Sequence, residues 1–93
     1  MSYKIEFRRP AERELERLTK RDPATAKRIA DALDRLAEDP RPPGVKALKG
    51  NARILRIRVG DYRVVYTVQD QLLVVLVVAI GHRREVYERL GLL

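Results

Sequence analysis

Apolar and charged positions alternate in "YKIEF", where Tyr3, Ile5 and Phe7 are separated by Lys4 and Glu6. A period of two predicts a strand with one buried face. The period then lengthens. Pro10 is suited to the first position of a helix, and Ala11, Leu15 and Leu18 follow at helical spacing with charges between them. Asp22-Pro23 is a cap followed by a first-turn proline, which predicts a second helix. Ala26, Ile29, Ala30, Leu33, Leu36 and Ala37 form its apolar stripe. These stripes read as core rather than as a cofactor site. "EDPRPPG" ends the helix, because proline cannot continue the hydrogen-bond ladder.

Gly44 to Asn51 reads as a loop carrying Lys46 and Lys49. Three strands are predicted after it, over 53–59, 62–69 and 72–80. Gly60-Asp61 and Asp70-Gln71 connect them as two-residue hairpin turns. The tail "GHRREVYERLGLL" reads as a short terminal helix. No repeat, low-complexity segment or linker interrupts the 93 residues, so the chain is one domain. The predicted fold is α+β: an N-terminal strand, an α-helical hairpin, a three-stranded antiparallel meander forming one sheet, and a C-terminal helix.

The first hairpin can be read residue by residue. With Gly60-Asp61 at the turn, Val59 faces Tyr62 and Arg58 faces Arg63. Leu55, Ile57, Val59, Tyr62, Val64 and Tyr66 then share one face, and Arg56, Arg58 and Arg63 share the other. A slip of one residue would mix the two sets, so the pattern fixes the register. Arg58 and Arg63 come within ~5 Å at their Cβ atoms and repel by roughly 1 to 3 kcal/mol. The side chains either fan into water at little cost or converge on a phosphate.

The third strand favours convergence. With Asp70-Gln71 as its turn, Arg63 is expected beside Val78, and Ile80 and Gly81 near the Gly60-Asp61 turn. "GHRREVY" leaves the sheet there. His82, Arg83, Glu85 and Tyr87 are thus expected to start beside Arg56, Arg58 and Arg63, which would gather a site from two segments. Leu72, Val74 and Leu76 fall on the arginine face at its far end and need cover, from Leu90, Leu92 and Leu93 or from a partner's helix.

Charge sharpens this. The net charge is +7, and 15 of the 20 basic residues are arginine. Residues 1–39 hold 10 basic and 9 acidic side chains, whereas residues 40–93 hold 10 and 4. A cationic excess confined to one half points to a polyanion, nucleic acid first. Arginine grips phosphate at two points. The absence of cysteine removes disulfides and thiolate metal sites. The charged start does not read as a signal peptide, and "LLVVLVVAI" is too short to span a bilayer as a helix. The chain therefore reads as cytoplasmic, with no membrane partner.

"RIRVGDYRVVY" followed by "VVAIGHRREVY" resembles the RelE/ParE superfamily of bacterial and archaeal type II toxins. "YKIEF", the charged helical hairpin, the proline-rich stop and "LKGN" fall in the same order, so the resemblance covers essentially the whole chain. It implies the toxin of a toxin–antitoxin system. RelE-like members are ribosome-dependent mRNA endonucleases (mRNA interferases) that cut the codon in the A site without a metal or other cofactor. A RelB-like antitoxin wraps and neutralises the toxin, and operator DNA is met only through that complex. ParE-like members are described as DNA gyrase inhibitors and usually lack the nuclease residues.

Residue by residue, the resemblance puts Arg63 on the scissile phosphate and Arg83 on phosphate stabilisation and leaving-group protonation. It puts Tyr87 on base stacking. Arg56 and Arg58 match two basic residues that are lysines in the best-studied pattern, one of them proposed as general base. Arginine stays protonated above pKa values of ~12, so Arg56 is a poor base. His82 and Glu85 are the candidate bases by residue type, and Tyr87 only if its pKa is depressed by the arginines. Ion pairing with Arg83 or Arg84 is the plainer role for Glu85. Arg84 is read as pointing to ribosomal RNA or solvent. Lys46, Lys49 and Arg53 add nonspecific attraction for RNA phosphates. A gyrase inhibitor and a noncatalytic nucleic-acid-binding module remain the alternatives.

Overall fold

A computed structural model describes residues 2–48 and 51–82 of the chain, the side chains of Asn51 and Ala52 excepted. Strand β1 spans Lys4–Phe7, helix α1 Arg9–Arg21 and helix α2 Pro23–Glu38. Strands β2 (Lys46–Leu48), β3 (Asn51–Val59), β4 (Tyr62–Gln69) and β5 (Val74–His82) follow. They form one sheet in the order β1-β5-β4-β3-β2. β1 runs parallel to β5, and every other pair is antiparallel.

Local chemistry explains the helical hairpin. Pro10 lies in the first turn of α1 and Pro23 in that of α2. The carboxylate of Asp22 accepts from Thr25 N at 3.2 Å and Thr25 Oγ1 at 2.7 Å. These hydrogen bonds hold its pKa below the usual carboxylate range. The helices cover one sheet face, burying Ala11, Leu18, Ile29, Leu36, Val64, Tyr66, Val75 and Val77 between the layers. Tyr66 is wholly buried, and its hydroxyl donates to the carbonyl of Pro40 at 2.7 Å. The sheet thus grips the proline-rich stop after α2.

Several expectations need correction. Ala30 is exposed and Ala32 is buried, because α2 is rolled toward one flank of its apolar stripe. Glu14 is buried beside the apolar row of α1. The segment read as a loop contains β2, which pairs Lys46 with Arg56 and Ala47 with Leu55. The sheet therefore has five strands, the meander being extended at both edges. The expected terminal helix lies outside the described residues, as do Leu90, Leu92 and Leu93.

The largest correction concerns β5. Asp70–Leu72 forms a 3-10 turn, and Leu73 follows in the left-handed region at φ 53°. Arg41 donates to Asp70 through Nη1 at 3.1 Å and Nη2 at 2.9 Å, and Tyr3 Oη donates to it at 2.8 Å. The Arg41 hydrogen bonds, then that of Tyr3, lower the pKa of Asp70. This clamp ties the turn to β1 and to the segment after α2. Pairing resumes at Gln69 with Val74, so Leu72 sits in the turn at 70% exposure instead of on the sheet. Val74 is buried and Leu76 half-buried.

A β-bulge then intervenes: Val65 pairs with Ala79 but Tyr66 with Val77, leaving Val78 as the extra residue. One extra residue exchanges the faces of everything after it. The two residues added at the turn and the one added at the bulge together pair Arg63 with Gly81 instead of Val78, and Tyr62 with His82.

Candidate phosphate-binding face

The Gly60-Asp61 turn forms as its sequence dictates. Gly60 adopts φ 60°, a conformation glycine enters without steric cost. Arg58 pairs with Arg63, Arg56 with Val65 and Lys46 with Arg56. Paired residues share a face, so the four cations stand together on the side away from the helices. Gly44, Lys46, Arg56, Ile57, Arg58 and Arg63 line one open cavity of about 170 Å³. No carboxylate belongs to that lining among the described residues.

The guanidinium groups are partly held. Arg58 Nε donates to Gly60 O at 3.2 Å, and Arg63 Nη1 donates to Tyr62 O at 3.4 Å. Arg56 and Arg63 are half-buried and Arg58 is exposed. Gly81 opposite Arg63 presents no side chain over it. Beyond the arginines, Leu48, Ile54, Val65 and Ala79 pack as a small apolar cluster on the same face. It stiffens the strands that carry the cations. Such a surface can hold a phosphate by charge-assisted, forked hydrogen bonds.

The sequence underrated Lys46. It read as a loop cation, but β2 aligns it with Arg56. A three-residue strand leaves almost no periodic signal. Arg53 is exposed on β3 and is not among the residues that line this cavity.

His82 is also placed differently from expectation. Its ring meets that of Tyr62 edge to face, with centroids 5.2 Å apart and planes at 83°. It lines a separate cavity of about 340 Å³ with Asp22, Thr25, Arg28, Val59, Gly60, Asp61 and Tyr62. His82 thus reaches the correct end of the sheet but faces the helices, because the bulge has exchanged the faces of β5. Lys49, Arg83, Arg84, Glu85 and Tyr87 lie outside the described residues. Among the described residues, no helix is long and apolar enough to cross a membrane.

Residues 5–87 match the family of ParE toxins of type II toxin–antitoxin systems, parDE. A RelE-like toxin protein of Escherichia coli is 33% identical over 85 residues, spanning 89% of this chain and 85% of its own. The isolated E. coli RelE toxin superposes with a TM-score of 0.76 at 28% identity, covering 97% of this chain and 96% of its own. Archaeal RelE from Pyrococcus horikoshii, solved as a RelE–RelB complex, gives 0.74 at 28% identity over 90% and 98%. The helical hairpin, the sheet and its cationic face belong to a chain of this lineage: the protein is a member of the RelE/ParE superfamily of type II toxins.

Proposed function

We propose that this toxin is a ribosome-dependent endoribonuclease that cuts mRNA in the A site. The observation that carries the reading is the convergence of Lys46, Arg56, Arg58 and Arg63 on one cavity. Like charges placed directly opposite one another cost stability unless they serve an anion.

The chemistry is attack by a ribose 2′-hydroxyl on the adjacent phosphorus, in line with the departing 5′-oxygen. The P–O5′ bond breaks as the new P–O2′ bond forms. The products are a 2′,3′-cyclic phosphate and a 5′-hydroxyl. Arg58 and Arg63 are assigned to the negative charge that builds on the pentacoordinate phosphorus, where fixed donors lower the barrier. Arg56 and Lys46 are assigned to the neighbouring backbone phosphates. Arg83 is assigned to the leaving oxygen and Tyr87 to the base, following the match between this sequence and the family motif. The position of His82 on the other face weighs against it as the base and leaves Glu85 and Tyr87 as candidates for the 2′-hydroxyl proton. The solved complex of the P. horikoshii relative supports a RelB-like antitoxin as partner.

The ParE family match supports a second reading, inhibition of a topoisomerase. Expression of the wild type and Arg83→Ala, with primer extension on a translated message, separates the two. Codon-registered cuts that vanish in the variant support the nuclease. Growth arrest with intact mRNA and double-strand DNA breaks overturns it.

A further inference from the structure

Glu14 interrupts the apolar side of α1. It lies beside Ala11 and Leu18 with 6% of its surface exposed. A carboxylate withdrawn from water must be paired. Arg17 Nη2 lies 2.7 Å from its Oε1, and Arg21 Nη2 lies 3.7 Å from its Oε2. Arg17 is the adjacent-turn partner at i+3. Arg21 lies two turns along the helix, and the same Nη2 donates to the phenol oxygen of Tyr62 at 3.3 Å. Tyr62 is the cross-strand partner of His82 and meets its ring edge to face. A continuous path of contacts therefore leads from a buried carboxylate in α1 to the end of β5. In the sequence, the next residue is Arg83.

We infer that Glu14 is a positioning residue: it holds Arg21 against Tyr62 and so fixes the ring of His82 at the end of β5, immediately ahead of Arg83. The consequence for cleavage rests on the nuclease reading; the consequence for His82 does not. Leucine at position 14 separates positioning from mere packing. It fills the same flank of α1, and replacing a buried ion pair with an apolar side chain is often neutral or stabilising. It cannot hold a guanidinium.

The experiment compares Glu14→Leu, Glu14→Gln and Tyr62→Phe with the wild type. It reads thermal unfolding, the imidazole NMR resonances of His82 and codon-registered cleavage of a translated message. His82 is the sole histidine, so its signals need no further assignment. Glu14→Leu is expected to melt with or above the wild type while its His82 resonances move and cleavage falls roughly tenfold or more. Glu14→Gln and Tyr62→Phe are expected to move the same resonances. Unchanged His82 resonances in folded Glu14→Leu and Glu14→Gln overturn the inference. Should Glu14→Leu fail to fold, unchanged resonances in Glu14→Gln and Tyr62→Phe overturn it equally. A wild type that leaves messages intact sinks the nuclease reading alone, and the His82 resonances still decide the role of Glu14.

Discussion

Arg58 and Arg63 stand directly opposite one another across the Gly60-Asp61 hairpin, on the face away from the helices. Nothing in the packing of the core requires two cations there. On the proposed nuclease reading, stability and phosphate binding pull in opposite directions here, which is expected where a surface serves a ligand.

Arg63→Gln should therefore separate the two. Removing one of two opposed like charges is expected to leave stability unchanged or raise it by about 0.2–1 kcal/mol. On the proposed nuclease reading, cleavage of translated mRNA is expected to fall by roughly a hundredfold or more, since that reading assigns Arg63 to the reacting phosphate. Urea unfolding and primer extension on the same preparations check both parts.

Tyr66→Phe tests the anchoring of the proline-rich stop. The variant leaves the carbonyl of Pro40 without its 2.7 Å donor in a buried setting. The expected loss is about 1–3 kcal/mol, read from chemical denaturation.

The same residue predicts alkaline behaviour. Burial pushes the Tyr66 hydroxyl up from 10.0 to about 12. The folded pKa is thus above the unfolded one, and the folded state favours the protonated phenol. Its contribution is complete below pH 10 and is lost as pH rises toward 12. Denaturation midpoints measured across that window should fall more steeply for the wild type than for Tyr66→Phe.

Asp70 behaves with the opposite sign. Its pKa is lowered by the Arg41 hydrogen bonds first and by that of Tyr3 second. The stability it contributes is present above the unfolded carboxylate pKa and is lost as pH falls through the lower folded value. Asp70→Asn should melt below the wild type at neutral pH. The difference should close once the pH is below both values, as a thermal series from pH 7 to strongly acidic conditions would show.

Gly60→Ala challenges the hairpin turn itself. A Cβ there meets Arg28 Nη1 at 3.2 Å, on backbone already at φ 60°. A destabilisation of about 1–2 kcal/mol is expected from the left-handed conformation. Thermal unfolding measures it.

Much of this architecture is legible in the chain, and the legible parts share a cause. Pro10, Asp22, Pro23 and the prolines after Glu38 act on their own neighbours, so the two helices follow from local chemistry. The alternation in β3 and β4 is clean, and a slip would bury arginine. Leu55 with Tyr66, Arg58 with Arg63 and Val59 with Tyr62 are therefore fixed by pattern alone.

The remainder depends on contacts between distant residues. β5 is apolar on both faces, so no burial penalty distinguishes one register from another. Its register is set by the Asp70 clamp and the bulge at Val78, which need Tyr3 and Arg41 brought close in space. The same holds for Lys46, whose place beside Arg56 depends on a three-residue edge strand, and for Glu14, whose burial depends on how α1 lies on the sheet. The sequence by itself determined the helical hairpin, the meander and a face of arginines. The tertiary structure decided which residues join that face, bringing Lys46 onto it and turning His82 away, because pairing and burial between distant segments leave no periodic trace in the chain.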